Sequence, residues 1–84
     1  TGWCRHESLF KGKWDEFAPL PVFIPAAYAL DDGGWFKITQ GIEAVLIHDE
    51  MGNPHVYMVT EPASNWYRAV MLNERMPRLI GQML

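Results

Sequence analysis

The stretch WFKITQGIEAVLIHDEMGNPHVYMVT, residues 35–60, decides the fold. It is rich in β-branched and aromatic residues and punctuated by Gly, Asn and Pro, which predicts strands over 35–39, 42–48 and 55–60. Gln40-Gly41 reads as a two-residue hairpin connection and residues 49–54 as a longer polar loop. In the second strand Ile42, Ala44 and Leu46 alternate with Glu43, Val45 and Ile47, so both faces are largely apolar. A strand of that kind belongs in the middle of a sheet. The expectation is an antiparallel meander.

Downstream, Thr60 suits a helix cap, with Pro62 in the first turn. Ala63, Trp66, Tyr67, Val70 and Met71 then follow an i, i+3, i+4, i+7, i+8 stripe, which predicts an amphipathic helix packed on the sheet. A fourth strand over 66–72 is the rival, because the same aromatic and aliphatic residues suit a sheet. Pro77 stops either one. Residues 77–84 end in an apolar tail, with Leu79, Ile80, Met83 and Leu84. Upstream, Phe10, Trp14 and Phe17 lie at i, i+4, i+7, so residues 1–18 are expected to form a helix or a docked arm. Pro19, Pro21 and Pro25 forbid a continuous helix beyond it, so PLPVFIP, residues 19–25, reads as extended chain or an edge strand, and the DDGG of 31–34 is a turn. The expected fold is α+β: a small antiparallel sheet of three to four strands with a C-terminal helix packed on one face.

The chain has 84 residues, 49% of them hydrophobic, and a net charge of −3, which fits a single small domain, residues 1–84. So short a chain buries a marginal core, and a partner or a second copy would add stability. Its four Trp and five Met supply more apolar anchors than a simple surface needs. Residues 21–60 set Lys37 against Asp31, Asp32, Glu43, Asp49 and Glu50, while Arg68, Arg75 and Arg78 face Glu61 and Glu74 further on. No basic stripe results, which argues against nucleic acid as a partner. No apolar run is long enough to span a membrane. The lone Cys4 admits no intramolecular disulfide and points to a reducing, cytoplasmic setting.

Three sets of residues carry candidate chemistry. Cys4, His55 and Asn65 supply a thiol, a base and a polar group to orient it. Their order resembles papain-like and NlpC/P60-type cysteine hydrolases. That resemblance implies a nucleophilic Cys4 paired with His55 and oriented by Asn65, with His48 able to replace His55. His48 and His55 would also lie opposite one another if the 49–54 loop closed symmetrically, and with Asp49 they would make a metal site. FIPAAYAL, residues 23–30, resembles the closing segment of SH3 domains, which implies a groove lined by Tyr28 and a Trp. No phosphate-binding or dinucleotide-binding glycine motif occurs, and no cofactor is expected.

Without a complete catalytic motif, the surplus of apolar anchors favours a small non-enzymatic protein-binding module. It would act as an inhibitor or adaptor of a larger protein, in the manner of viral or phage accessory proteins, or form a homodimer. The anchors singled out are Trp3, Trp14, Arg75, Arg78 and Leu84. The cysteine hydrolase and the His48/His55 metal domain are the alternatives.

Overall fold

Residues 42–48 and 54–62 are the two longest strands and pair antiparallel, and the other main-sheet strands assemble around them. A computed structural model describes residues 2–31 and 34–82. In chain order the elements are β1 (Gly2–Arg5), α1 (His6–Phe10), a single 3-10 turn (Asp15–Phe17), β2 (Leu20–Ile24), β3 (Tyr28–Asp31) and β4 (Gly34–Lys37). There follow β5 (Ile42–His48), β6 (Pro54–Pro62), α2 (Asn65–Met71) and β7 (Arg75–Pro77). The main sheet runs β1-β6-β5-β2, with β7 on the far end of β6, and β3–β4 is a separate two-stranded ribbon. β1 lies parallel to β6, and the remaining strand pairings are antiparallel.

The expected α+β arrangement is therefore corrected. Strand takes 46% of the described residues and helix 19%, and the seven strands leave α2 as the one substantial helix. The chain is predominantly β. Three local causes account for the difference. The N-terminal segment opens as a strand, and its helix is only five residues long. The extended segment of residues 19–25 adds a full edge strand, β2, to the count. After α2 the chain adds a further strand, β7, to the sheet.

The expected hairpin at Gln40-Gly41 does not form either. β4 pairs with β3, and β5 pairs with β2. Gly41 has φ 141°, and a Cβ there would stand 2.8 Å from the Ile24 carbonyl oxygen. The chain thus passes against the end of β2, a route open to glycine alone.

α2 starts later than Thr60. β6 continues through Pro62 because β1 pairs with residues 57–60 and β7 with residues 60–62. The cap is Ser64, whose Oγ accepts the Tyr67 backbone N–H at 3.1 Å. Ala63, Tyr67 and Met71 are buried, whereas Trp66 and Val70 remain exposed.

Strand alternation gives the sheet two apolar faces. Ile42 joins Phe36, Ile38, Ala63, Tyr67, Met71 and Leu79 in the larger cluster, beneath the β3–β4 ribbon and α2. Cys4, Val45 and Val59 form the smaller cluster on the opposite face, with Leu9 and Trp14 packed over it. The segment after β7 fastens two strands at once. The Arg78 N–H donates to the Val59 carbonyl, and the Glu43 N–H donates to the Arg78 carbonyl. The Ile80 N–H donates to the Gly41 carbonyl, and Leu79 is buried in the larger cluster.

Candidate functional site

A cleft of about 590 Å³ opens on the larger-cluster face. That volume lies within the usual range for small-ligand sites. β1 builds one wall. Its alternation sends Cys4 into the smaller cluster and leaves Trp3 and Arg5 to line the cleft. Trp3 pairs in register with Met58, and Arg5 with Thr60. Leu30 and Phe36 of the ribbon, with Tyr67 of α2, make the facing wall. The Trp3 and Leu30 side chains are both more than half exposed.

Arg75 closes one end. Its Nη1 donates to Glu7 Oε2 at 2.8 Å and its Nη2 to Glu7 Oε1 at 3.2 Å, a two-pronged carboxylate contact. The same Nη2 reaches the Thr60 carbonyl oxygen at 2.9 Å and Thr60 Oγ1 at 3.0 Å. The hydrogen bonds from Arg75 hold the Glu7 carboxyl down at about 2. Asn73 Oδ1 accepts the Arg75 backbone N–H at 3.2 Å, which sets the start of β7. Arg75 is thus held in place, with its charge balanced by Glu7. Arg5 is exposed and makes no ion pair with any described residue. The cleft therefore offers one guanidinium bound to Glu7, a second, Arg5, whose charge acts on Glu7 without pairing to it, and an exposed indole.

Of the anchors read from sequence, Trp3 and Arg75 line this cleft. Trp14 does not. It packs edge-on against Tyr57 at 5.1 Å and covers the smaller cluster. Arg78 lies on the opposite side, bridging Glu43 and Glu61. Leu84 lies outside the described residues. Arg5, Leu30 and Tyr67 were missed. The alternation in GWCR was the available signal for Arg5, but the helical spacing of Phe10, Trp14 and Phe17 obscured it.

The hydrolase residues are not brought together. Cys4 sits opposite Val59, four residues along β6 from His55, which separates them by roughly 13 Å at the usual strand rise. Burial pushes the Cys4 thiol up, away from the thiolate that such chemistry needs. Asn65 is exposed at the start of α2.

The histidines miss each other by one register step. His48 pairs with Pro54, and Ile47 with His55, so the two imidazoles belong to opposite faces. His55 Nε2 lies 3.0 Å from Asp49 Oδ2. Asp49 also accepts the backbone N–H groups of Met51 and Asn53, and these contacts, led by His55, lower its carboxyl to about 2. That set of bonds shapes the β5–β6 turn. Among the described residues no three His, Cys, Asp or Glu side chains are grouped to hold a metal. Tyr28 is exposed on β3 opposite Lys37 and does not line the cleft.

No helix among the described residues is long and apolar enough to cross a membrane. No protein family, curated protein or solved structure matches the chain.

Proposed function

We propose that the chain is a small non-enzymatic protein-binding module whose contact site is the cleft between β1 and the β3–β4 ribbon. The observation that carries this reading is the presence of exposed Trp3 and exposed Arg5 on one strand, beside an apolar cavity. An aromatic and an arginine flanking a desolvated pocket are the usual makings of a protein-binding hot spot. Further large side chains stay exposed around the molecule, among them Phe10, Phe23, Trp35 and Leu72.

The contact assignment moves with the geometry. Trp3 and Arg75 remain in it, Arg5 joins it, and Trp14 and Arg78 serve the fold. The test is photo-crosslinking in the native host from a benzoyl-phenylalanine placed at position 3. The expected result is one defined polypeptide adduct, insensitive to nuclease and lost in Arg5→Glu. An adduct removed by nuclease, or one unchanged by Arg5→Glu, would overturn the reading.

A further inference from the structure

The two outer edges of the main sheet differ in backbone chemistry. β2 is one edge, and β5 covers its other side along its whole length. Pro21 cannot donate to that ladder, so its nitrogen side faces outward. Pro19 and Pro25 share the parity of Pro21 and flank the strand. Over residues 19–25, Phe23 is left as the one N–H donor on the outer side. Prolines at an edge are a recognised means of preventing strand addition.

β1 is the opposite edge. It contains no proline, and among the described residues it pairs only with β6. Alternate residues of a strand direct their N–H and C=O groups to opposite sides, so half of those in β1 point outward. This open edge borders the cleft, because Trp3 and Arg5 line it.

We infer that the open edge of β1 receives an extended strand from a partner polypeptide, which carries an apolar side chain and a carboxylate two residues apart. This rests on the protein-binding reading above and specifies its mode. Backbone hydrogen bonds to β1 would supply affinity, and alternate side chains would supply specificity. Residues of the added strand that face the cleft would neighbour Trp3 and Arg5, which are themselves two apart. The apolar side chain would sit beside the Trp3 indole. The carboxylate would meet the Arg5 guanidinium, which makes no ion pair with any described residue, whereas Glu7 is already held by Arg75. Charge favours this occupant over a second copy, since β1 itself, GWCR, carries no carboxylate to offer a second Arg5.

The probe is a capped, Thr-rich hexapeptide with Val and Glu two residues apart. Four companions complete the set: the same peptide N-methylated on alternate amides, its Glu→Lys analogue, a version with Val and Glu adjacent, and an oligothymidylate. Amide shifts and hydrogen exchange of residues 2–5 give the readout. The parent peptide is expected to protect the outward amides of β1. N-methylation, Glu→Lys and adjacency are each expected to weaken binding about tenfold, a loss near 1.4 kcal/mol. Arg5→Glu is expected to reverse the preference between the Glu and Lys peptides, with Arg5→Gln abolishing it in a folded chain.

Equal binding of the parent and N-methylated peptides overturns strand addition and leaves the protein-binding reading standing. Absence of binding to every peptide at about millimolar concentration also overturns strand addition. Concentration-dependent protection of β1 without peptide assigns the edge to a second copy and overturns the acidic partner. Binding of oligothymidylate alone overturns both readings.

Discussion

The two faces of the main sheet are built from the same strands with opposite parity, yet they are covered differently. On the cleft side the ribbon, α2 and Leu79 converge from separate parts of the chain and bury a cluster of seven residues. They meet imperfectly, and the gap between them is the cleft. On the other side α1 and Trp14 follow closely after β1 and fold over three buried residues. One face thus stores most of the packing and also holds the site. The other is a compact local cover. The Arg75–Glu7 contact joins them, because Arg75 lines the cleft while Glu7 belongs to α1.

Truncations on each face test this division first. Tyr67 is 1% exposed and stacks edge-on with Phe36 at 5.6 Å. Tyr67→Ala is expected to cost about 3–5 kcal/mol in urea unfolding. Val59→Ala on the opposite face is expected to cost about 1–3 kcal/mol. The reverse ranking would break the comparison.

Loss of the α2 cap comes next. Ser64→Ala is expected to cost about 1 kcal/mol, read from the same denaturation midpoints. A negligible loss would mean that packing alone holds the helix.

Acid probes the link between the faces. Glu7 and Asp49 titrate at about 2 in the fold, against ordinary values of 4.5 and 3.8. The unfolded chain therefore takes up protons first as pH falls. The stabilisation from both groups is present above the ordinary values and is lost as pH drops towards 2. Glu7→Gln should remove its share of that slope, measured as denaturation midpoint against pH, and Asp49→Asn the remainder. Both carboxylates are open to solvent, so added salt should flatten the slope further. A Glu7→Gln profile identical to that of the parent would show that the bridge contributes nothing to folding.

The smallest stability effect is expected at the site itself. Trp3→Ala should shift stability by less than about 0.5 kcal/mol, because the side chain is 61% exposed. The same change should remove partner contact. A large stability loss would move Trp3 from the site to the frame.

The sequence displayed this division unevenly. The apolar faces of Ile42–His48 marked a central strand, and β5 does lie between β6 and β2. The turn residues Gly52, Asn53 and Pro54 marked the loop after it. The register was another matter, because Asp49 binds His55 and the Met51 and Asn53 amides, which sets the pairing one residue away from the symmetric arrangement. The helical stripe from Ala63 was legible in Tyr67 and Met71 but misled at Trp66 and Val70, since periodicity does not show how wide the covered face will be. β1 was hidden because four residues are too few for a period. Its pairing with β6 joins segments more than fifty residues apart in sequence, and no local pattern encodes such a contact. The cleft inherits that difficulty, as Trp3, Leu30 and Arg75 converge only after the sheet has assembled.

The clasp of residues 75–80 across β5 and β6 also bears on how the chain is made. Synthesis delivers β5 and β6 well before Arg78 and Ile80, whose backbones complete the hydrogen bonding at Val59, Glu43 and Gly41. A nascent chain that has emerged only as far as α2 carries an open seam in its largest sheet. Ribosomal stalling or premature termination before residue 75 would release chains with an unsealed edge, suited to aggregation and to degradation by quality-control proteases.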